Sequence, residues 1–202
     1  MSLPGPSTGT LRLMDVDVFI LIGGRSSRFG SDKAFFEFEG EALAARMARV
    51  ARMAHPGARL RFLAASDEQF GAKTVELDAS TVFDVKRGFG AWSGVHAALS
   101  HSGAEWTLIL ACDLPFVSED LLKRLSEECS DSVDAVVARQ FDSRLQPLCA
   151  IYRTKKALPI AELVLTREVL PPLASIFERV PTAIIDADPE MLRNINSPTD
   201  LS

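Results

Sequence analysis

Two adjacent glycines and three cations crowd the stretch Gly23-Gly24-Arg25-Ser26-Ser27-Arg28-Phe29-Gly30-Ser31-Asp32-Lys33, a composition suited to holding a compact anion. Glycine removes the side chain where backbone N–H groups must come close to a ligand. Arg25, Arg28 and Lys33 add charge-assisted donors worth ~1.5–3 kcal/mol each. The expected guest is a polyphosphate. The spacing is not the G-x-G-x-x-G of dinucleotide-binding folds, because the first two glycines are adjacent and the next is Gly30. Nor is it a Walker A loop, since Gly24 and Gly30 are separated by five residues and Lys33 follows three positions later.

A loop of this kind needs a rigid element ahead of it. Residues 15–22 are rich in β-branched and bulky apolar side chains, from Val16 to Ile22, and predict a strand apolar on both faces, as inside a parallel sheet. A second uninterrupted apolar run, 106–111, predicts a central strand, and Asp113 falls just past its carboxyl end. Between and after them the pattern predicts helices over 41–54, 94–100, 155–165 and 171–179, the last opening at Pro171-Pro172. Further strands are expected at 60–64, 74–77 (weak), 134–139, 146–152 and 183–186, and a helix from about Ser118. Ser197, Pro198 and Asp200 are placed to start a short terminal helix. Strand–helix alternation predicts right-handed crossovers with all the carboxyl ends on one side of the sheet, where ligands of open α/β sheets bind. The loop 23–33 and Asp113 therefore converge. The plainer reading of Asp113, a cap for the helix near Ser118, is strained by the distance in sequence.

Composition bounds the function. The chain has 202 residues, 47% of them hydrophobic, enough for one α/β domain with a single large core, and its formal charge of −5 argues against a nucleic-acid partner. Cys112, Cys129 and Cys149 are odd in number and lack metal-ligand spacing, which predicts buried thiols in a reducing, cytoplasmic setting. The first 14 residues carry neither the cationic start nor the apolar core of a signal peptide and read as a disordered leader ahead of a domain over 15–202. No apolar run reaches the ~18–20 residues of a membrane span. His55, His96 and His101 show no ligand spacing and read as surface or packing residues. Trp92 reads either as a contact near a base or as an exposed helix start.

The segment 21–33 resembles, residue by residue, the L-x-G-G-x-S-x-R-M-G-x-D-K signature of the molybdenum cofactor guanylyltransferase family, with Phe29 in place of Met. Four more segments agree in order. Asp84 to Gly94 is similar to the family's D…G-P-L-A-G, with Ala91, Trp92 and Ser93 departing from Pro-Leu-Ala, and Cys112-Asp113-Leu114-Pro115-Phe116 to its C-D-[ML]-P-[FY]. Gln146 to Arg153 resembles Q-P-L-x-A-L-Y-R, and Asn194 to Leu201 resembles the closing N-[IV]-N-[ST]-P-x-[DE]-L. An Asn usual after the second strand is absent, that region reading Ala64-Ala65-Ser66.

This resemblance implies a three-layer α/β/α, Rossmann-like, open and mostly parallel sheet, and a Mg²⁺-dependent transfer of GMP from GTP to the terminal phosphate of molybdopterin. It implies nucleotide binding by Leu21, Ile22, Gly23, Gly24, Arg25, Ser26, Arg28, Lys33, Asp84 and Asp113. Arg28, Lys33 and Asp113 take catalytic roles, and Asp113 and Asn196 ligate the metal. An Asx turn is the alternative for Asn196, and ordinary turn chemistry for Asp84. Arg139, Gln140 and Arg144 are placed by charge and order alone to meet an acceptor phosphate. Implied partners are GTP, a molybdopterin-type acceptor, and, transiently, molybdoenzymes or their chaperones. Two other functions stay open: cytidylyl transfer to molybdopterin or another small phosphate, and a non-catalytic cofactor carrier.

Overall fold

The computed structural model describes residues 14–22, 33–64, 79–83, 88–195 and 200. Its centre is a seven-stranded sheet. In chain order the strands are β1 (Val16–Leu21), β4 (Arg59–Ala64), β5 (Ser80–Phe83), β6 (Trp106–Ala111), β7 (Ala135–Arg139), β8 (Leu145–Arg153) and β9 (Thr182–Asp186). They lie side by side as β5-β4-β1-β6-β8-β7-β9. A small two-stranded ribbon, β2 (Glu37–Phe38) and β3 (Glu41–Ala42), stands apart and feeds directly into the first helix.

Side-chain alternation along the strands builds the layers. Val18 and Ile20 of β1, Leu108 and Leu110 of β6, and Val136 of β7 join one buried cluster, covered by α1 (Leu43–Ala54) and α3 (Glu119–Glu127). Phe19, Ile109 and Val137, one residue out of phase, join a second, covered by α2 (Ala91–His101) and α4 (Thr154–Val164). A period of two thus feeds two cores from one sheet. α1 shows the complementary helical pattern, burying Leu43, Met47, Val50 and Ala51 while Arg49 and Arg52 face water. The fold is a three-layer α/β/α, mostly parallel single domain, as the sequence predicts.

Several local expectations need correction. β8 pairs antiparallel with both β6 and β7, so its carboxyl end lies on the opposite side from the others. The reason is the connection: β7 and β8 are joined by residues 140–144, far too few for a crossover. The helix expected over 41–54 begins at Leu43, because Glu41 and Ala42 pair with Phe38 and Glu37. The segment expected as a helix over 171–179 is a 3₁₀ helix, Leu173–Glu178. Met14, assigned from sequence to the leader, packs against the α1-side core. The expected strand 74–77, the terminal helix start and the leader through residue 13 lie outside the described residues.

Candidate active site

Both strands expected to aim the chemistry are central, parallel and in register, with Leu21 opposite Ala111. Cys112 donates its N–H to Leu21 O at 3.1 Å, and Ile22 donates to Leu63 O at 2.9 Å, so β1 stays clamped on both sides to its last residue. Gly94 in α2 allows this end to be tightly covered: a Cβ there would lie 2.7 Å from Leu21 Cδ2. Gly90, with φ +59, turns the chain into that helix in a conformation L side chains rarely adopt.

Asp113 leaves β6 two residues beyond its end. Three separate segments fix the loop it starts. Arg46 of α1 donates to Pro115 O at 2.9 Å, Ile195 donates its N–H to Asp113 O at 3.0 Å, and Ser118 caps α3 by accepting the Leu121 N–H. Ser118 therefore does what the plainer reading gave to Asp113, whose carboxylate faces elsewhere. Its Oδ2 lies 2.9 Å from Lys33 Nζ, across 80 positions of sequence. Lys33 opens a 3₁₀ turn, Lys33–Phe35, anchored by the fully buried Ala34, which holds the ammonium in place. Both side chains are partly shielded, 14% and 26% exposed.

The structure thus brings together Lys33 and Asp113 at the carboxyl edge of β1 and β6, with Leu21 and Ile22 beside them. Gly23, Gly24, Arg25, Ser26, Arg28, Asp84 and Asn196 lie outside the described residues. Trp92 is not an exposed helix start: it is buried in the α2-side core and donates its indole N–H to Pro171 O at 2.9 Å. Arg139 is engaged by Asp186 at 2.7 Å, whereas Gln140 and Arg144 line a cleft with the segment 189–194. Arg193 belongs to that cleft and stacks its guanidinium 4.5 Å over the ring of Phe116. It stands directly ahead of the closing Asn-Ile-Asn motif, where an arginine has no diagnostic spacing.

Cys112, next to Asp113, is no nucleophile. Burial and the Asp113 charge push its thiol up to about 12, against a smaller opposing effect of Lys33. The donor set suits a hard cation. Asp113 offers a carboxylate whose second oxygen has no partner among the described residues, and no group of three His, Cys, Asp or Glu gathers there. Magnesium is commonly held by one or two carboxylates, its other positions filled by water or substrate oxygens, so a single carboxylate oxygen at the sheet edge is compatible with it.

A lysine–carboxylate pair at the carboxyl edge of an open α/β sheet lies where ligands of such sheets bind, and the class of protein is a nucleotidyltransferase. The chain belongs to the family of the MobA-like NTP transferase domain, which it matches over residues 18–179. It is 27% identical over 196 residues to a "probable molybdenum cofactor guanylyltransferase" of Geobacillus sp. (strain WCH70), covering 90% of this chain and 93% of that one. A solved structure of molybdopterin-guanine dinucleotide biosynthesis protein A from Archaeoglobus fulgidus superposes with a TM-score of 0.72 at 23% identity, over 92% of this chain and 94% of that one. The 2-C-methyl-D-erythritol 4-phosphate cytidylyltransferase of Thermus thermophilus shares the fold, with a TM-score of 0.67 at 19% identity over 93% and 96%. No helix among the described residues is long and apolar enough to cross a membrane.

Proposed function

We propose that this nucleotidyltransferase moves GMP from GTP to the terminal phosphate of molybdopterin, releasing pyrophosphate and forming the guanine dinucleotide cofactor. The single observation that carries the reading is the 2.9 Å contact between Lys33 and Asp113 at the sheet edge. A phosphate clamp and a hard-cation ligand are useless to a passive carrier, whereas nucleotidyl transfer needs both. The Gly23-Gly24 pair resembles the guanylyl-transferring branch of the family.

In the reaction an acceptor phosphate oxygen bonds to the α-phosphorus of GTP while the bond to the β-phosphate oxygen breaks and pyrophosphate leaves. Both reactants are anions, so the protein must neutralise them and hold them in line. Lys33, oriented by Asp113, offsets the charge of the triphosphate and the charge growing on the leaving pyrophosphate, together with Arg28. Each such donor is commonly worth ~3–4 kcal/mol in the transition state. The backbone of Gly23 and Gly24 and the side chains of Arg25 and Ser26 cradle the phosphates, and Asp84 contacts the nucleoside. Asp113 and Asn196 would hold Mg²⁺, which would supply Lewis-acid neutralisation of phosphate charge. Asn196 follows Ile195, whose amide is bonded to Asp113. No covalent enzyme intermediate is needed. The three free cysteines suit a reducing cytoplasm.

The test is pyrophosphate release with molybdopterin and Mg²⁺, supplying GTP or CTP in parallel. Release with GTP supports guanylyl transfer. Release with CTP alone assigns cytidylyl transfer, and release with neither leaves a carrier.

A further inference from the structure

The cleft between the β7–β8 turn and residues 189–194 encloses about 410 Å³, within the ~300–1,000 Å³ range of small-molecule sites. At its rim stands Phe141, 83% exposed. An aromatic ring so open to water gains nothing from folding, yet the turn that carries it is tightly specified. Ser143 donates its N–H to Gln140 O at 2.9 Å, and Gln140 donates to Arg144 O at 2.8 Å. Ser143 holds φ +68, a left-handed conformation costing roughly 1–2 kcal/mol in an L residue. The two walls are tied by Gln140 Nε2 donating to Leu192 O at 3.0 Å. The ring is presented, not left over.

The opposite wall carries one guanidinium, that of Arg193, and adjoins the loop that holds Asp113. Arg193 lies flat over Phe116, three residues past Asp113, with its Nε 3.2 Å from a Glu190 oxygen. Stacking fixes the plane of the guanidinium and leaves its edge for a phosphate. Two residues on, Ile195 is bonded to Asp113 O. Arg144 is also ion-paired, with Asp142 at 2.6 Å, but it is 77% exposed, so it belongs to the outer rim.

We propose that this cleft seats the acceptor, a planar heterocycle bearing a phosphate ester, with the Phe141 ring against the heterocycle and the Arg193 guanidinium on the phosphate, directing it toward Asp113. Assigning a pterin as the heterocycle rests on the guanylyl-transfer reading, whereas the cleft's chemistry does not. Loss of one ring-stacking contact is worth ~1–3 kcal/mol, about tenfold or more in affinity.

The experiment titrates the full chain with neopterin monophosphate, a fluorescent pterin carrying a phosphate ester, and measures GTP binding separately. Binding by the unaltered protein, weakened about tenfold in Phe141→Ala and in Arg193→Gln, restored in Phe141→Trp, and with GTP affinity unchanged throughout, supports the assignment. No binding by the unaltered protein, or binding by both variants as tight as that of the unaltered protein, overturns it. Both side chains are exposed enough that these substitutions leave the fold intact. Guanylyl transfer to molybdopterin is read apart: variant-sensitive neopterin phosphate binding without any transfer would remove the reaction and keep the cleft.

Discussion

Ile195 gives its backbone N–H to the carbonyl oxygen of Asp113 at 3.0 Å, and its side chain is fully buried. The bond joins the last motif of the chain to the loop that leaves the central strand, so the carboxylate and the wall of the cleft move as one piece. An alternation of polar and apolar residues in Asn194-Ile195-Asn196 makes this possible. The middle side chain anchors the segment, and Asn194, beside it, lines the cleft.

Ile195→Ala should therefore cost about 2–4 kcal/mol, and Ile195→Val about 1 kcal/mol, the usual penalties for emptying a buried aliphatic site. Urea unfolding followed by circular dichroism gives both values. An alanine variant within 0.5 kcal/mol of the parent, on the order of measurement error, would mean the segment contributes no anchoring.

Replacing either member of the Lys33–Asp113 pair separates charge from fold. Asp113→Asn keeps the shape but loses the anionic ligand, and kcat should fall by at least ~10²-fold with little change in melting temperature. Lys33→Met should raise the KM for GTP strongly and lower kcat as well, since it removes a donor to both the triphosphate and the leaving pyrophosphate. Steady-state kinetics with varied GTP and Mg²⁺ checks both, and near-parental rates for Asp113→Asn would strip that residue of its role.

Asp17, at the other end of β1, is 2% exposed and built into a cationic clamp. Burial pushes its carboxyl up, but the Gly103 N–H at 2.9 Å, the two-pronged Arg59 contact and the charge of Arg61 outweigh it, and the net shift is downward from 3.8. With the folded value below the unfolded one, its contribution is complete above about pH 4 and is lost as pH falls through the folded value. Asp17→Asn should flatten the acid limb of the stability–pH curve in that window and lower stability at neutral pH by about 2 kcal/mol. Chemical denaturation at graded pH measures it, and an unchanged acid limb would contradict the clamp.

Much of this arrangement is legible in residue type and order. The runs 15–22 and 106–111 are apolar on both faces because both faces are covered, and adjacent strands bring Lys33 and the Asp113 carboxylate to one edge. Strand direction is less visible. The apolar pattern of β8 reads the same either way, and only the shortness of the link from β7 carries its reversal. Pro147 adds a further device: β8 bulges against Val137 and Ala138, and Tyr152 donates its hydroxyl to Pro147 O at 2.7 Å. The burial of Trp92 escapes a sequence reading because it depends on Pro171, 79 residues away, which no local pattern encodes. Arg193 and Phe141 acquire meaning only when the turn and the closing segment face each other across the cleft.

Thr107 and Thr154 form a buried chain of hydroxyls at the far end of β6 from Asp113. Thr154 Oγ1 donates to Ala104 O at 2.8 Å, so its proton is committed, and the 2.8 Å contact with Thr107 Oγ1 must run from Thr107 to Thr154. The two residues are 0% and 5% exposed, leaving no water to replace a lost partner. Thr154→Val strands both the Thr107 hydroxyl and the Ala104 carbonyl and should cost about 2 kcal/mol, whereas Thr107→Val removes only one donor and should cost about 1 kcal/mol. Because the second substitution disposes of the group stranded by the first, the double variant should be more stable than the sum predicts by about 1 kcal/mol. All three should keep the kcat of the parent. Strict additivity in a urea-denaturation cycle would show that the two hydroxyls are not coupled.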